Sequence, residues 1–432
     1  MMPLMNKPIY IRGGRVVDPL AGRNETADLF VQDGLIAPLP PSPPPGAEIF
    51  EAHGCVVAPG FIDLHVHLRE PGGEEAETIE SGSRAAARGG FTQVVAMPNT
   101  RPPTDTAERV SFVKQRGDAA GMARVIPSGC ITAGREGRDL TPVAALVAAG
   151  ARALTDDGST VMSDTLMQQA MRLAWEFGVV VMDHAQDRNS EAKGVMHEGD
   201  FSRRWQLPGI PAEAEVSVIR RDIDLARRTG CALHIQHVST AAGCDLIREA
   251  RALGLRVSGE ATPHHLALCD ADVDPANTCF KMNPPLRSPA DREALLHAIS
   301  DGTLTALATD HAPHTAASKA RGFLDAPFGV VGLETAVGVT YTQLVKSGLM
   351  SLSDWVEPST LGPARILGLN EPTLKPGTIA DVVVLDLKTE WVVRSDAFLS
   401  RSRNTPFEGA VLTGRAVRTL LGGKTVWLQG RE

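Results

Sequence analysis

Between Phe61 and Leu68 apolar and polar residues alternate, and that period of two predicts a strand. Side chains two apart share a face, so Asp63, His65 and His67 fall on one side and Ile62, Leu64 and Val66 on the other. The same kind of apolar segment recurs down the chain at Gln93–Met97, Arg124–Pro127, Ala151–Thr155, Val179–Asp183, Ala232–His237, Arg256–Gly259 and Thr305–Thr309. Helical periodicity follows most of these segments: Glu77–Arg88, Thr106–Arg116, Pro142–Ala149, Ser163–Phe177, Ala212–Thr229, Ala241–Leu253, Pro289–Ser300 and Gly332–Ser347. Eight strand-then-helix units predict an α/β fold, a (β/α)8 TIM-type barrel, rather than an open sheet. No Gly-x-Gly-x-x-Gly follows the first strand, which argues against a dinucleotide site.

Both ends of the chain read as β without helices between. Ile9–Ile11 and Arg15–Val17 flank a turn at Gly13-Gly14, and Ala27–Gln32 runs into the turn Asp33-Gly34 before Leu35-Ile36. The proline run from Pro38 to Pro45 reads as a stiff surface connection. Beyond Gly368, strands are expected at Asp381–Asp386, Trp391–Val393, Gly409–Leu412, Thr419–Leu421 and Thr425–Trp427. Each end is too short for a domain of its own. The expectation is a small β-sandwich assembled from residues 1–57 and 368–432 beside a barrel spanning 58–367.

Composition sharpens this picture only at its margins. A chain of 432 residues suits one large barrel with a satellite. A net charge of −8 gives no reason to expect nucleic acid or an anionic membrane as partner. No apolar run approaches a membrane span, and the first residues lack the apolar core of a secretory leader, so the cytoplasm is the expected location. The cysteines at 55, 130, 231, 244, 269 and 279 form no C-x-x-C pair and read as free thiols.

In such a barrel chemistry gathers at the C-terminal ends of the strands. Those ends carry His65 and His67, then Met97-Pro98-Asn99-Thr100, Thr155-Asp156-Asp157-Gly158, Met182-Asp183-His184, His234-Ile235-Gln236-His237 and Thr309-Asp310-His311-Ala312-Pro313-His314. Each has an ordinary explanation alone, as a turn or a hydrogen-bonded histidine. Together they bring imidazoles and carboxylates to one rim, the ligand set of a borderline ion such as zinc. Alternation places His234 and His237 on opposite faces, so at most one is expected to look inward. Asp63 is expected to pack or support rather than ligate. His264-His265 is given a supporting place at the rim, and His311 the task of orienting its loop.

These blocks, with Pro59 to Gly72, His237-Val238-Ser239-Thr240, Asn283-Pro284-Pro285-Leu286-Arg287 and Ser402-Arg403-Asn404-Thr405-Pro406, resemble the amidohydrolase superfamily. Within it the chain is most similar to the long bacterial dihydroorotases. The resemblance implies that His65, His67 and Asp310 hold a first metal and His184 and His237 a second, with Asp157 between them and one or two Zn²⁺ per chain. Many relatives bridge with a carboxylated lysine. No lysine lies between Lys114 and Lys193 here. The implied substrate contacts are Arg69, Asn99, Asn283, His314, Phe328 and Gly329.

The resemblance further implies a reaction: reversible cyclisation of N-carbamoyl-L-aspartate to L-dihydroorotate in pyrimidine biosynthesis. A metal-bound hydroxide is then the nucleophile and Asp310 the general base and acid. The expected partners are the small-molecule substrate, a second copy in a homodimer, and aspartate transcarbamoylase. A hydantoinase or allantoinase is the rival enzyme, disfavoured by Arg69, for which an uncharged hydantoin offers no anion. A silent scaffold of this fold is disfavoured because no expected ligand is missing.

Overall fold

A computed structural model describes residues 7–190 and 193–430. The first six residues of the expected N-terminal β segment, among them the start read as leaderless, and the last two of the C-terminal one lie outside the described residues. The eight barrel strands are Phe61–Val66, Phe91–Ala96, Arg124–Pro127, Ala153–Leu154, Val180–Asp183, Leu233–Ile235, Val257–Ala261 and Ala306–Leu307. They pair in parallel as a three-strand and a five-strand run. Parallel bridges Gly129↔Leu154 and Val66↔His311 join the two runs, so the ring closes.

The helices form where the sequence places caps. The helix after the first strand, Ile79–Gly89, starts at a capping box on Thr78 and Ser81 and stops at Gly90 in left-handed conformation. Thr106, Ser163, Thr240 and Ser288 likewise accept from backbone N–H groups at the starts of later helices. The single long helix expected over Gly332–Ser347 is broken instead into Ala336–Thr340 and a π turn at Tyr341–Lys346. Thr340 and Thr342 donate back to the Ala336 and Gly338 carbonyls there, a competition that weakens helix.

Strict alternation does not survive along the first strand. Its pairing register shifts between Asp63 and Val66. Val66 consequently packs in the main core under the helices, whereas Leu64 joins a separate cluster with Val95, Met97, Ala153, Val180 and Met182. Leu367, from the helix Leu361–Leu367, completes that cluster. Gly362 lets this helix approach the barrel: a Cβ there would meet the Thr305 carbonyl oxygen at 1.7 Å.

The chain ends build one β unit of eight strands, with Val56–Pro59 at its centre between the N-terminal strand Ile9–Asp18 and the C-terminal strand Val382–Val392. Its faces separate cleanly. Val17, Val56, Ala58, Val383 and Leu385 pack on the barrel, while Val16, Val57, Val382 and Val384 pack among themselves with Ile36 and Leu420. The turn expected at Gly13-Gly14 is a bulge within one continuous strand, and the C-terminal strand pairs expected as separate pieces are likewise single strands with register shifts. Pro38 to Pro45 crosses the surface. All six cysteines are free thiols. No helix among the described residues is long and apolar enough to cross a membrane.

Trp355 ties barrel to outer helices. It is fully buried, meets Phe61 and Tyr341 edge-on at 5.7 and 5.8 Å, and donates from Nε1 to Thr340 Oγ1 at 3.1 Å. Trp355→Ala is expected to cost about 3–5 kcal/mol of unfolding free energy. A urea-melt midpoint equal to that of the unaltered chain would contradict this packing role.

Candidate metal centre

The strand ends deliver His65, His67, Asp157, His184, His237 and Asp310 to one buried cluster. His65 Nε2 lies 3.3 Å from Asp157 Oδ1 and 3.5 Å from Asp310 Oδ1. His67 Nε2 lies 3.1 Å from Asp310 Oδ1 and 3.6 Å from Asp157 Oδ2, and His184 Nδ1 is 3.7 Å from Asp157 Oδ1. The His237 ring stands edge-on to His184 at 4.5 Å and tilted to His65 at 5.1 Å. Two overlapping donor groups result, His65 with His67 and Asp310, and His65 with Asp157 and His237. Each has its ligand atoms within 4.8 Å of one another.

The electrostatics of this cluster favour a cation. Burial alone would depress the His65 imidazole, yet Asp310 and Asp157 overcome it and hold it well above its ordinary value. Burial would raise Asp157, but His65, His67 and His184 hold it well below the carboxylate range. His65 Nε2 is buried without an aligned hydrogen bond, although two carboxylates face it. An orphaned imidazole nitrogen among carboxylates and further imidazoles suits a divalent ion of the zinc class.

Backbone conformation contributes to this convergence. Arg69, His237 and Asp310 adopt positive φ of 57°, 31° and 46°, which ordinary residues seldom do. At His237 the turn breaks the alternation of its strand. His234 was expected to face away if His237 faced inward, yet both reach the interior. His234 Nε2 sits 2.9 Å from Glu260 Oε2, directly beneath the cluster.

Glu260 was not singled out from the sequence. Fully buried, it faces His65 Nδ1 at 2.8 Å through Oε1 and accepts the His237 backbone N–H at 3.1 Å. Burial opposes its charge, but His234 and His65 hold it down at about 2. Its signal was present: a lone carboxylate inside an apolar strand segment must find a donor. It fixes His65 with the proton on Nδ1 and leaves Nε2 for the cluster. Asp63, as expected, supports: it accepts from the His65 backbone N–H at 3.0 Å and from Thr309 Oγ1 at 2.6 Å, pinning the first strand to the eighth.

Above the cluster opens a cavity of about 210 Å³. Arg69, Asn99, Asn283, His314, Phe328 and Gly329 all line it, together with every cluster residue except His65. Asn99 bridges, with Oδ1 at 2.8 Å from His67 Nδ1 and Nδ2 donating to Asp157 Oδ2 at 3.0 Å. Arg69 donates from Nε to the Pro313 carbonyl at 3.1 Å, and burial lowers it to about 10, so it stays charged at neutral pH. His314 Nε2 meets the Phe328 carbonyl at 2.7 Å, which places its proton on that nitrogen, and burial with Arg69 nearby keeps the ring neutral, at about 3. Asn283 Nδ2 contacts His184 Nε2 at 3.2 Å, while its Oδ1 is buried without a partner.

Residues of the C-terminal segment hold this rim. Asn404 Nδ2 donates to the carbonyls of Ala312 and Gly329 at 3.0 and 3.1 Å, and its Oδ1 accepts from the His314 backbone N–H at 3.1 Å. Gly329, at φ 124°, would push a Cβ to 2.6 Å from that of Ala312. His311 faces Glu77 at 3.3 Å and receives the Gly332 N–H, so it orients the loop. His265 bonds Thr262 Oγ1 and the Pro284 carbonyl, supporting the segment that carries Asn283.

The protein-family model described as Dihydro-orotase-like matches residues 54–242. Over 421 residues, 97% of this chain and 98% of the relative, the sequence is 44% identical to the dihydroorotase of Solibacter usitatus (strain Ellin6076). It is 48% identical over 419 residues, again 97% and 98% of the two chains, to the dihydroorotase of Pelotomaculum thermopropionicum (strain DSM 13744 / JCM 10971 / SI). Among solved structures, the L-hydantoinase (dihydropyrimidinase) from Arthrobacter aurescens aligns with a TM-score of 0.86 at 26% identity, covering 98% of this chain and 96% of that one.

Proposed function

The chain belongs to the dihydroorotase family of cyclic amide hydrolases, and from that membership we propose that it interconverts N-carbamoyl-L-aspartate and L-dihydroorotate at this cavity. One or two Zn²⁺ ions would be held by His65, His67, Asp157, His237 and Asp310, with His184 beside Asp157 as a further ligand. When bound, zinc supplies a nucleophile at neutral pH and polarises the ring carbonyl. The supporting observation is a charged guanidinium, Arg69, in the wall of the cavity that the donor cluster floors.

The chain's own groups account for the rest of the reaction. In hydrolysis, Asp310 takes a proton from the attacking water and returns it to the departing ring nitrogen; cyclisation runs the same transfers in reverse. Arg69 and Asn99 bind the carboxylate that both substrate and product keep. His314, with its Nε2 proton committed to Phe328, holds the Phe328–Gly329 wall beside that carboxylate. Asn283 Oδ1 accepts a ring N–H. The structural likeness to a hydantoinase favours a second reading, but the half-buried charge of Arg69 has no anion to meet in a hydantoin.

Elemental analysis of the purified chain paired with a dihydroorotate hydrolysis assay tests the proposal. One or two zinc ions per chain with dihydroorotate turnover are expected. Turnover of hydantoin or allantoin without any of dihydroorotate would overturn it. The homodimer and the aspartate transcarbamoylase contact rest on family membership alone, and gel filtration with and without that enzyme tests both.

Glu260→Gln keeps the shape of the side chain but removes the charge that fixes His65. Zinc affinity, measured by competition with a chromophoric chelator, is expected to fall about 10–100-fold. An unchanged affinity would mean that His65 needs no such anchor.

A further inference from the structure

A cavity of about 650 Å³ lies away from the metal cluster, between helix Ile79–Gly89 and the terminal sheet. That is within the about 300–1,000 Å³ of ordinary small-molecule sites. Its wall carries Arg84, Arg88 and Arg415 with Trp391 and Trp427 and, among the described residues, a single acid, Glu334. Burial pushes Glu334 up to about 7, and its one carboxylate offsets at most one of the three cations. It is also already engaged, at 3.1 Å from Arg88 and accepting the Leu399 and Ser400 backbone N–H groups at 2.9 and 3.1 Å.

The other two guanidinium groups form no ion pair or hydrogen bond among the described residues. Arg415 Nε is buried with no hydrogen-bond partner; Asp386, opposite it on the paired strand, is near enough for the guanidinium charge to help hold its carboxyl down, but forms no ion pair with it among the described residues. Arg84 projects from the exposed face of its helix with no ion-pair partner among the described residues. Arg88 instead lies over the Trp427 ring at 5.4 Å, which joins the cationic and the aromatic parts of the wall. Spare guanidinium donors select a phosphate or carboxylate, and indole surfaces select a flat ring.

We propose that this cavity binds a nucleoside monophosphate, its phosphate on Arg84 and Arg415 and its base against the tryptophan-lined wall. The metal cluster contributes nothing to this site, so it stands whether or not the proposed reaction does.

Titration calorimetry and tryptophan fluorescence on the full zinc-loaded chain test it, with AMP, adenosine and inorganic phosphate as separate probes. AMP is expected to bind saturably, to quench fluorescence and to be displaced by phosphate. Arg84→Ala and Arg415→Met should each weaken AMP about tenfold or more, the loss of a charge-assisted contact. Neither residue touches the metal cavity, so hydrolysis of dihydroorotate should persist in both and report an intact fold. Trp391→Phe should remove much of the quench. The proposal is overturned by no saturable AMP binding below about 1 mM, by adenosine binding as tightly as AMP, or by an Arg84→Ala/Arg415→Met chain that binds AMP unchanged.

Discussion

Asp310→Asn is expected to lower turnover of dihydroorotate at least about 10³-fold, within the range of about 10²–10⁴ for losing a general base. The replacement is isosteric and keeps an oxygen at the position 3.1 Å from His67 Nε2. It also keeps the backbone: Asp310 sits at φ 46°, and asparagine enters that left-handed region at least as readily as aspartate. What disappears is the charge and the ability to carry a proton. Zinc should therefore remain after dialysis, more weakly held, because His65, His67 and the Asp157–His237 side of the cluster are untouched. Elemental analysis and rate measurement on one preparation separate the two effects. Full activity would remove Asp310 from the proton transfer, and complete loss of zinc would make it a ligand first.

How far the sequence could be read depended on whether local periodicity or tertiary contact decided a position. The eight strands and most helices were legible because apolar periods and Thr or Ser caps are local properties, visible one segment at a time. The donor set was legible for a different reason: a barrel sends strand ends to one rim whatever residues they carry. Where backbone departed from the regular period, the reading failed. The register shift after Asp63 separates Leu64 from Val66, and the positive φ of His237 lets it share the interior with His234. Gly13-Gly14 looks like a turn in isolation but bulges within a strand, because the pairing strand continues opposite. Glu260 and Asn404 act through partners far away in the chain, His65 and the Ala312 and Gly329 carbonyls. No spacing rule could announce those pairs.

Arg69→Met is the variant that separates this chemistry from that of neutral cyclic amides. Arg69 follows His67 by two residues and holds a positive φ of 57°, which methionine must adopt at much the same cost, so the backbone term largely cancels. On the proposed reading the lost interaction is a charged, half-buried contact to the substrate carboxylate, in a cavity of about 210 Å³. Hydrogen bonds to charged groups are worth about 1.5–3 kcal/mol, and a guanidinium facing a carboxylate is of that charged kind. KM for dihydroorotate should accordingly rise about 10²-fold, while kcat falls less, because the proton transfer through Asp310 does not involve the guanidinium. The sharper readout is discrimination. Dihydrouracil, the analogue without the carboxylate, gains nothing from Arg69, so the ratio of kcat/KM values for the two compounds should shrink by the same factor. Unchanged saturation behaviour with dihydroorotate would rule out the carboxylate role. An equal loss for both compounds would instead make Arg69 a support of the rim, acting through its bond to the Pro313 carbonyl.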